Sequence, residues 1–132
     1  PLVSGDQETC ILAKERAGVL SVWDPREWQE RLDQGVQLVQ DKMRAGRLIG
    51  RVEEVQRLGR LLSTRHTRVR LDRRGRFAVP EGFREFLGVD PGGELLLVGA
   101  AVCVELWRPD RWVAYVEEKM PDFRQLLEEL SA

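Results

Sequence analysis

A long-range internal repeat limits this chain more than any other feature. Shifted by 84 residues, the sequence falls on itself without a gap. Ile11-Leu12 lands on Leu95-Leu96, Val19-Leu20 on Cys103-Val104, and Val22-Trp23 on Leu106-Trp107; Pro25 lands on Pro109, Trp28 on Trp112 and Asp6 on Asp90. All four tryptophans of the chain lie in this correspondence. A fixed offset with matched aromatics marks one supersecondary unit used twice. The unit reads as a hairpin, then W-x-P-x-x-W, then a helix.

In the first copy, Glu8 to Asp24 is a hairpin turning at Ala17-Gly18. Asp24 caps a helix that starts at Pro25 and carries Trp28 and Leu32 at i, i+4 spacing. In the second copy, Gly93 to Trp107 is the hairpin. Its apolar run Glu94-Leu-Leu-Leu-Val-Gly is expected at the centre of a sheet. Pro109 to Lys119 is the matching helix, Pro121 breaks it, and Asp122–Leu130 is an amphipathic tail with Phe123, Leu126, Leu127 and Leu130 on one face. Tryptophans repeated at a strand-to-helix joint point to packing rather than to base stacking. Residues 36–66 connect the copies as a helix weakened by Gly46, Gly50 and Gly59, so a break or two helices is expected.

Between connector and second hairpin lies Arg68 to Leu87, RVRLDRRGRFAVPEGFREFL. Arg68 to Asp72 alternates polar and apolar residues, as a half-buried strand does. Asp72-Arg-Arg-Gly75 is turn chemistry: a carboxylate that accepts from nearby backbone N–H groups, then a glycine free to take φ > 0. Phe77, Ala78 and Val79 are expected to resume the strand. Pro80 ends pairing and opens a helix that buries Phe83, Phe86 and Leu87.

Charge gathers in the same place. Residues 57–76 hold eight arginines (57, 60, 65, 68, 70, 73, 74, 76) against the single acid Asp72, about +7 in a chain whose total is −1. Such asymmetry fits an anionic partner. An enzyme reading finds no support. His66 is the only histidine and Tyr115 the only tyrosine. Cys10 and Cys103 stand apart in apolar runs and are expected buried and reduced. No catalytic set, metal set or cofactor loop emerges, and no cofactor is expected. No window holds the ~18 apolar residues of a membrane span and no signal segment opens the chain, so no membrane partner and a cytoplasmic location are expected.

Asp72-Arg-Arg-Gly-Arg76-Phe-Ala-Val-Pro80, followed by Phe83-Arg84-Glu85, resembles the D-x-x-G-R-φ-x-φ-P…φ-R-E motif of the MraZ family. The tandem hairpin-and-aromatic-helix unit is similar to that family as well. The resemblance implies an α+β fold of two tandem pseudo-repeats, of small β-barrel or swapped-hairpin type with flanking helices, distantly similar to AbrB and SpoVT. It implies a homo-oligomer, a ring, that binds double-stranded DNA. The implied targets are short promoter repeats ahead of the division and cell-wall gene cluster, which would make the protein nucleoid-associated.

Within that resemblance, the chain divides into an incomplete first repeat (1–35), the helical connector (36–66), a second repeat (67–120) and the tail helix (121–132). The 84-residue offset would place a first copy of Arg68–Glu85 ahead of Pro1, so the sequence reads as lacking about 20 residues at its start. The first hairpin would then need partner strands from another chain or leave them unpaired. Arg73, Arg74 and Arg76, in or beside the turn, are the expected groove contacts, because arginine's planar fork fits phosphate oxygens and the guanine edge. Arg65, Arg68 and Arg70 are expected phosphate contacts. Asp72 anchors the turn and fixes the Arg76 rotamer; Gly75 and Pro80 are structural. Arg84 and Glu85 are expected to form a local ion pair, and His66 to lie on the surface. The alternative function is an oligomeric scaffold of the same fold without DNA readout.

Overall fold

The computed structural model describes residues 9–132. Strands β1 (Thr9–Arg16) and β2 (Val19–Trp23) form the first hairpin, with Gly18 at φ 73° in its turn, a conformation that glycine adopts without steric cost. Asp24 accepts a 2.8 Å hydrogen bond from the Arg26 N–H and starts α1 (Pro25–Arg44). The chain breaks through Gly46 and Gly50, both at positive φ, before α2 (Val52–Thr64). Then follow β3 (His66–Arg70) and α3 (Glu81–Leu87). The second hairpin is β4 (Leu96–Gly99) and β5 (Val104–Trp107). It leads into α4 (Pro109–Lys119), a single 3-10 turn at Met120–Asp122, and α5 (Phe123–Ser131).

The fold is α+β. Its strands make one antiparallel sheet in the order β3-β1-β2-β5-β4. The two hairpins meet at β2 and β5, where Leu20 pairs with Leu106, Ser21 with Glu105 and Val22 with Val104. Ser21 and Glu105 are equivalent under the repeat, so equivalent residues face each other there and a local two-fold axis runs through that pair. β3, read from sequence with the second copy, pairs instead with β1 of the first: Cys10 lies opposite Val69 and Ile11 opposite Arg68. This exchange is the swapped-hairpin arrangement. It also supplies the first hairpin with its partner strand from within the chain. The same rotation applied to β3 lands along the outer side of β4, which pairs only with β5 among the described residues.

The sheet buries both faces because each strand alternates between them. Cys10, Leu12, Leu20, Val22, Val69 and Leu106 share one face with Leu87 of α3, and Phe77, Val79, Phe83 and Phe86 pack against that cluster. Burying a side chain such as Leu12 or Leu20 completely contributes about 1.5–3 kcal/mol. On the other face, Ile11, Ala13 and Trp23 meet Trp28 of α1, with Leu32 and Cys103 at the margin. Trp23, Trp28 and Trp107 are buried, and Trp112 is half-buried beside Trp107 with ring centroids 5.2 Å apart. The tryptophans therefore pack.

Three local expectations give way. Phe77–Val79 joins no ladder. Phe77 and Val79 instead turn into the core over the sheet, and Pro80 has no N–H to offer a partner. The run from Glu94 to Gly99 is at the sheet's edge rather than its centre, because β5 takes the free side of β2; Leu97 is 64 % exposed. His66 is half-buried rather than free on the surface: it opens β3 opposite buried Ala13, and its ring lies against Trp28, with centroids 5.3 Å apart.

Candidate nucleic-acid interface

β3 sets up the arginine face. Val69 points into the core, so the alternation of a strand leaves its neighbours Arg68 and Arg70 exposed on the opposite side. The chain then leaves the sheet in a bend that Asp72 organises. The Asp72 N–H donates to the Arg76 carbonyl at 2.8 Å, and the Gly75 N–H donates to the Asp72 carbonyl at 3.0 Å. The carboxylate itself accepts from the backbone N–H groups of Arg74 (2.8 Å) and Arg76 (2.9 Å) through Oδ1. Its Oδ2 accepts from Arg76 Nε at 2.8 Å. The Arg76 backbone N–H and then its guanidinium, helped by the Arg74 N–H, hold the Asp72 carboxyl below the usual carboxylate range. Gly75 sits at φ 76° with open space around it, so its requirement is conformational only.

The arginines divide by environment. Arg76 forms an ion pair with Asp72 and shares a groove of about 540 Å³ with Arg70, lined also by Leu71, Phe77 and Ala78. Arg73 and Arg74 are exposed, and neither forms an ion pair among the described residues. Arg65 lies apart: half-buried, it donates from Nε to the Lys14 carbonyl at 3.1 Å and lies 5.4 Å from the centroid of the Phe86 ring. Arg84 donates to the Val79 carbonyl at 3.2 Å rather than pairing with Glu85, tying the turn segment to the start of α3. Pro80 precedes that helix, and its carbonyl accepts from Phe83 and Arg84 N–H at 2.9 Å each.

A second set of contacts escaped the sequence reading. In the first half, Trp23 Nε1 donates to Glu15 at 2.9 Å, and Arg31, 2.7 Å from that carboxylate, lies over the Trp23 ring. In the second, Trp107 Nε1 donates to Glu105 at 3.0 Å, and Arg16 reaches across from the first hairpin to bind the same carboxylate at 2.5 Å. The tryptophans are repeat equivalents, but the glutamates and arginines are not, so the offset gave no signal for them. Among the described residues, no three His, Cys, Asp or Glu side chains come together as metal ligands, and no helix is long and apolar enough to cross a membrane. Cys10 and Cys103 are free.

The model of the MraZ protein family matches residues 63–131, which run from the end of α2 through β3, the arginine turn and the whole second hairpin to α5. Individual relatives named transcriptional regulator MraZ agree with this. The one from Pseudomonas aeruginosa is 32 % identical over 106 residues, 80 % of this chain and 62 % of the relative. That from Syntrophomonas wolfei is 32 % identical over 60 residues, 46 % of this chain and 41 % of the relative. That from Thermus thermophilus is 35 % identical over 51 residues, 39 % of this chain and 35 % of the relative. The chain thus spans between 35 % and 62 % of the length of these relatives. With more than half of its residues matched by the family model, and the motif that prompted the resemblance inside the matched segment, the chain belongs to the MraZ family.

Proposed function

We propose that this chain is a DNA-binding transcriptional regulator that grips the duplex through the Asp72–Arg76 turn and the exposed arginines of β3. The observation that carries the reading is the state of Arg73 and Arg74: exposed, on a bend fixed by three hydrogen bonds to one carboxylate, and bound to no acid among the described residues. A bend already held in place loses little freedom on binding, so its contacts are not offset by ordering. Arg73, Arg74 and Arg76 read the groove, Arg68 and Arg70 hold phosphates beside it, and Arg65 adds charge from the base of the strand. Asp72, Gly75 and Pro80 serve by shape. The names of the relatives support regulation of transcription. The family resemblance points to short promoter repeats ahead of the division and cell-wall genes, and to a cytoplasmic, nucleoid-associated protein. One turn offers few contacts, so several copies in a ring would read successive repeats, multiplying affinity without new chemistry.

Fluorescence anisotropy with the promoter fragment of that gene cluster, beside a random duplex of equal length, tests this. Affinity for the promoter should fall about a thousandfold between 50 and 200 mM salt if six or more phosphates are contacted. Arg73→Ala with Arg74→Ala should weaken binding by roughly tenfold or more and flatten the salt dependence, leaving circular dichroism unchanged. Unchanged affinity in that double variant would overturn the site. An assembly with no DNA affinity at any salt would instead identify a scaffold of the same fold.

A further inference from the structure

A cavity of about 410 Å³ lies between α1 and α2, on the face of β1 that Trp28 covers and away from the arginine turn. Ala13, Trp28, Leu32, Leu61, Leu62 and His66 form most of its wall. That volume falls within the range of small-molecule sites, about 300–1,000 Å³.

Two polar atoms on the wall are unmatched. Trp28 is 8 % exposed, and its Nε1, like Nδ1 of His66, is screened from solvent and has no hydrogen-bond partner among the described residues. The other two buried indoles differ: Trp23 donates to Glu15 and Trp107 to Glu105. A buried donor without an acceptor destabilises a fold, so an acceptor brought by a ligand relieves a standing cost. Gly35 bears on the same cavity. It lies within the 20-residue helix α1 and lines the cavity, and a Cβ there would meet nothing within 4 Å. Its φ is not positive, so neither backbone nor packing demands a glycine, which weakens a helix. The position is exposed, and its lack of a side chain leaves the cavity open on the solvent side.

Charge selects the ligand. Lys14, Arg31 and Arg65 line the cavity against one acid, Glu15, a net +2. Arg31 is held by Glu15 at 2.7 Å, whereas Lys14 and Arg65 form no ion pair among the described residues. Their charged ends rest 4.5 and 5.4 Å from the ring centroids of Phe83 and Phe86, so they favour an anion through their field rather than by contact.

We propose that this cavity binds a small aromatic carboxylic acid. The carboxylate accepts from Trp28 Nε1 and from His66, with the imidazole proton on Nδ1, and the ring lies among Leu32, Leu61 and Leu62. Because both nitrogens are screened, entry requires α2 to swing outward; none of its residues is buried, and it runs through Arg65 straight into β3. The ligand therefore acts on the strand that carries Arg68 and Arg70. The site goes beyond the DNA-binding reading and does not depend on it.

Isothermal titration of the full chain with 1-naphthoate, without DNA, tests it. Saturable binding to a single site is expected, and the neutral 1-naphthalenemethanol should bind about tenfold more weakly or worse. Trp28→Phe keeps a ring but loses the N–H, and should weaken binding by about tenfold or more. If circular dichroism shows that variant unfolded, Gly35→Phe decides: it puts a ring into the cavity at a helical position with room for it, and should abolish binding. In nitrogen-15 spectra the Trp28 indole proton should move downfield on titration, while those of Trp23 and Trp107, already bonded to carboxylates, hold still. Amide exchange over residues 67–70 should change by about threefold or more at saturation. No binding at millimolar naphthoate, equal binding of the alcohol, or wild-type affinity in Gly35→Phe would overturn the site. Unchanged exchange in β3 with naphthoate bound would overturn its action on the strand.

Discussion

The two hairpins grow from the same sequence unit and end in different surroundings. Leu12 and Leu96 are repeat equivalents, yet one is wholly buried and the other 38 % exposed; Ala13 and Leu97 stand at 0 % and 64 %. The tryptophans at the ends of the inner strands do not differ, with Trp23 at 6 % and Trp107 at 5 %. The contrast is largest in the outer strands; in the inner ones only Val104 and Glu105 at the start of β5 are less buried than their equivalents Leu20 and Ser21. β1 has β2 on one side and β3 on the other, whereas among the described residues β4 has β5 only. The repeat determines how the end of each inner strand packs, while the fate of the outer strand depends on a third segment that the repeat unit does not contain. In the first hairpin that segment is β3, the strand that also leads into the arginine turn. The firm anchoring of the first hairpin and the placement of the candidate interface are thus one structural event.

The strongest way to break this comparison is at Leu12 and Leu96. Leu12→Ala should cost about 2–5 kcal/mol, the range for truncating a fully buried leucine, and Leu96→Ala below about 1 kcal/mol. Urea unfolding of the two variants measures both. Equal losses would mean that the outer edge of β4 is as well covered as that of β1. The thiols sharpen the contrast. Cys10, on β1, is 1 % exposed, and burial pushes its thiol up to about 11, so roughly one part in a thousand is thiolate at pH 8. Cys103, before β5, is half-buried; burial first, then the Glu105 and Glu15 charges, raise its thiol as well. Iodoacetamide should label Cys103 at least about tenfold faster, because Cys10 reacts only when the sheet opens. Similar rates would show that the first hairpin is no tighter than the second.

The repeat announced the hairpins, the helices and their order, since tryptophan and proline at fixed spacing leave little freedom. It was silent on strand neighbours. An apolar run such as Leu95–Val98 reads as central by hydropathy, but whether it is central depends on which strand edges remain free, and that is a property of the assembled sheet. Phe77–Val79 alternates correctly for a strand and still makes no ladder, because its side chains find the core from above. The arginine turn was readable because Asp72 and Gly75 act over four residues. The cross-hairpin pair Arg16–Glu105 joins residues 89 apart and left no local trace.

The smallest expected effect concerns the joint between β3 and its turn. Asp72 is exposed, so solvent screens its ion pair with Arg76, and the backbone bonds dominate. Its folded carboxyl titrates below the unfolded value of 3.8. The sign follows: the stabilisation is complete above the unfolded value and is lost as pH falls through the lower folded one. In an NMR titration over roughly pH 2 to 5, the amide protons of Arg74 and Arg76 should therefore shift together, with a midpoint below that of an unfolded aspartate peptide. Asp72→Asn keeps an oxygen that accepts from both amides but has no charge, so it should erase the titration while costing little stability at neutral pH. Asp72→Ala removes the acceptor and should speed hydrogen exchange at the end of β3, near Arg70, without touching β4. If the amides titrate at the ordinary carboxylate value, or if exchange in β4 rises as much as in β3, then the carboxylate does not hold this turn and the strand's anchoring comes from its ladder with β1 and the burial of Val69.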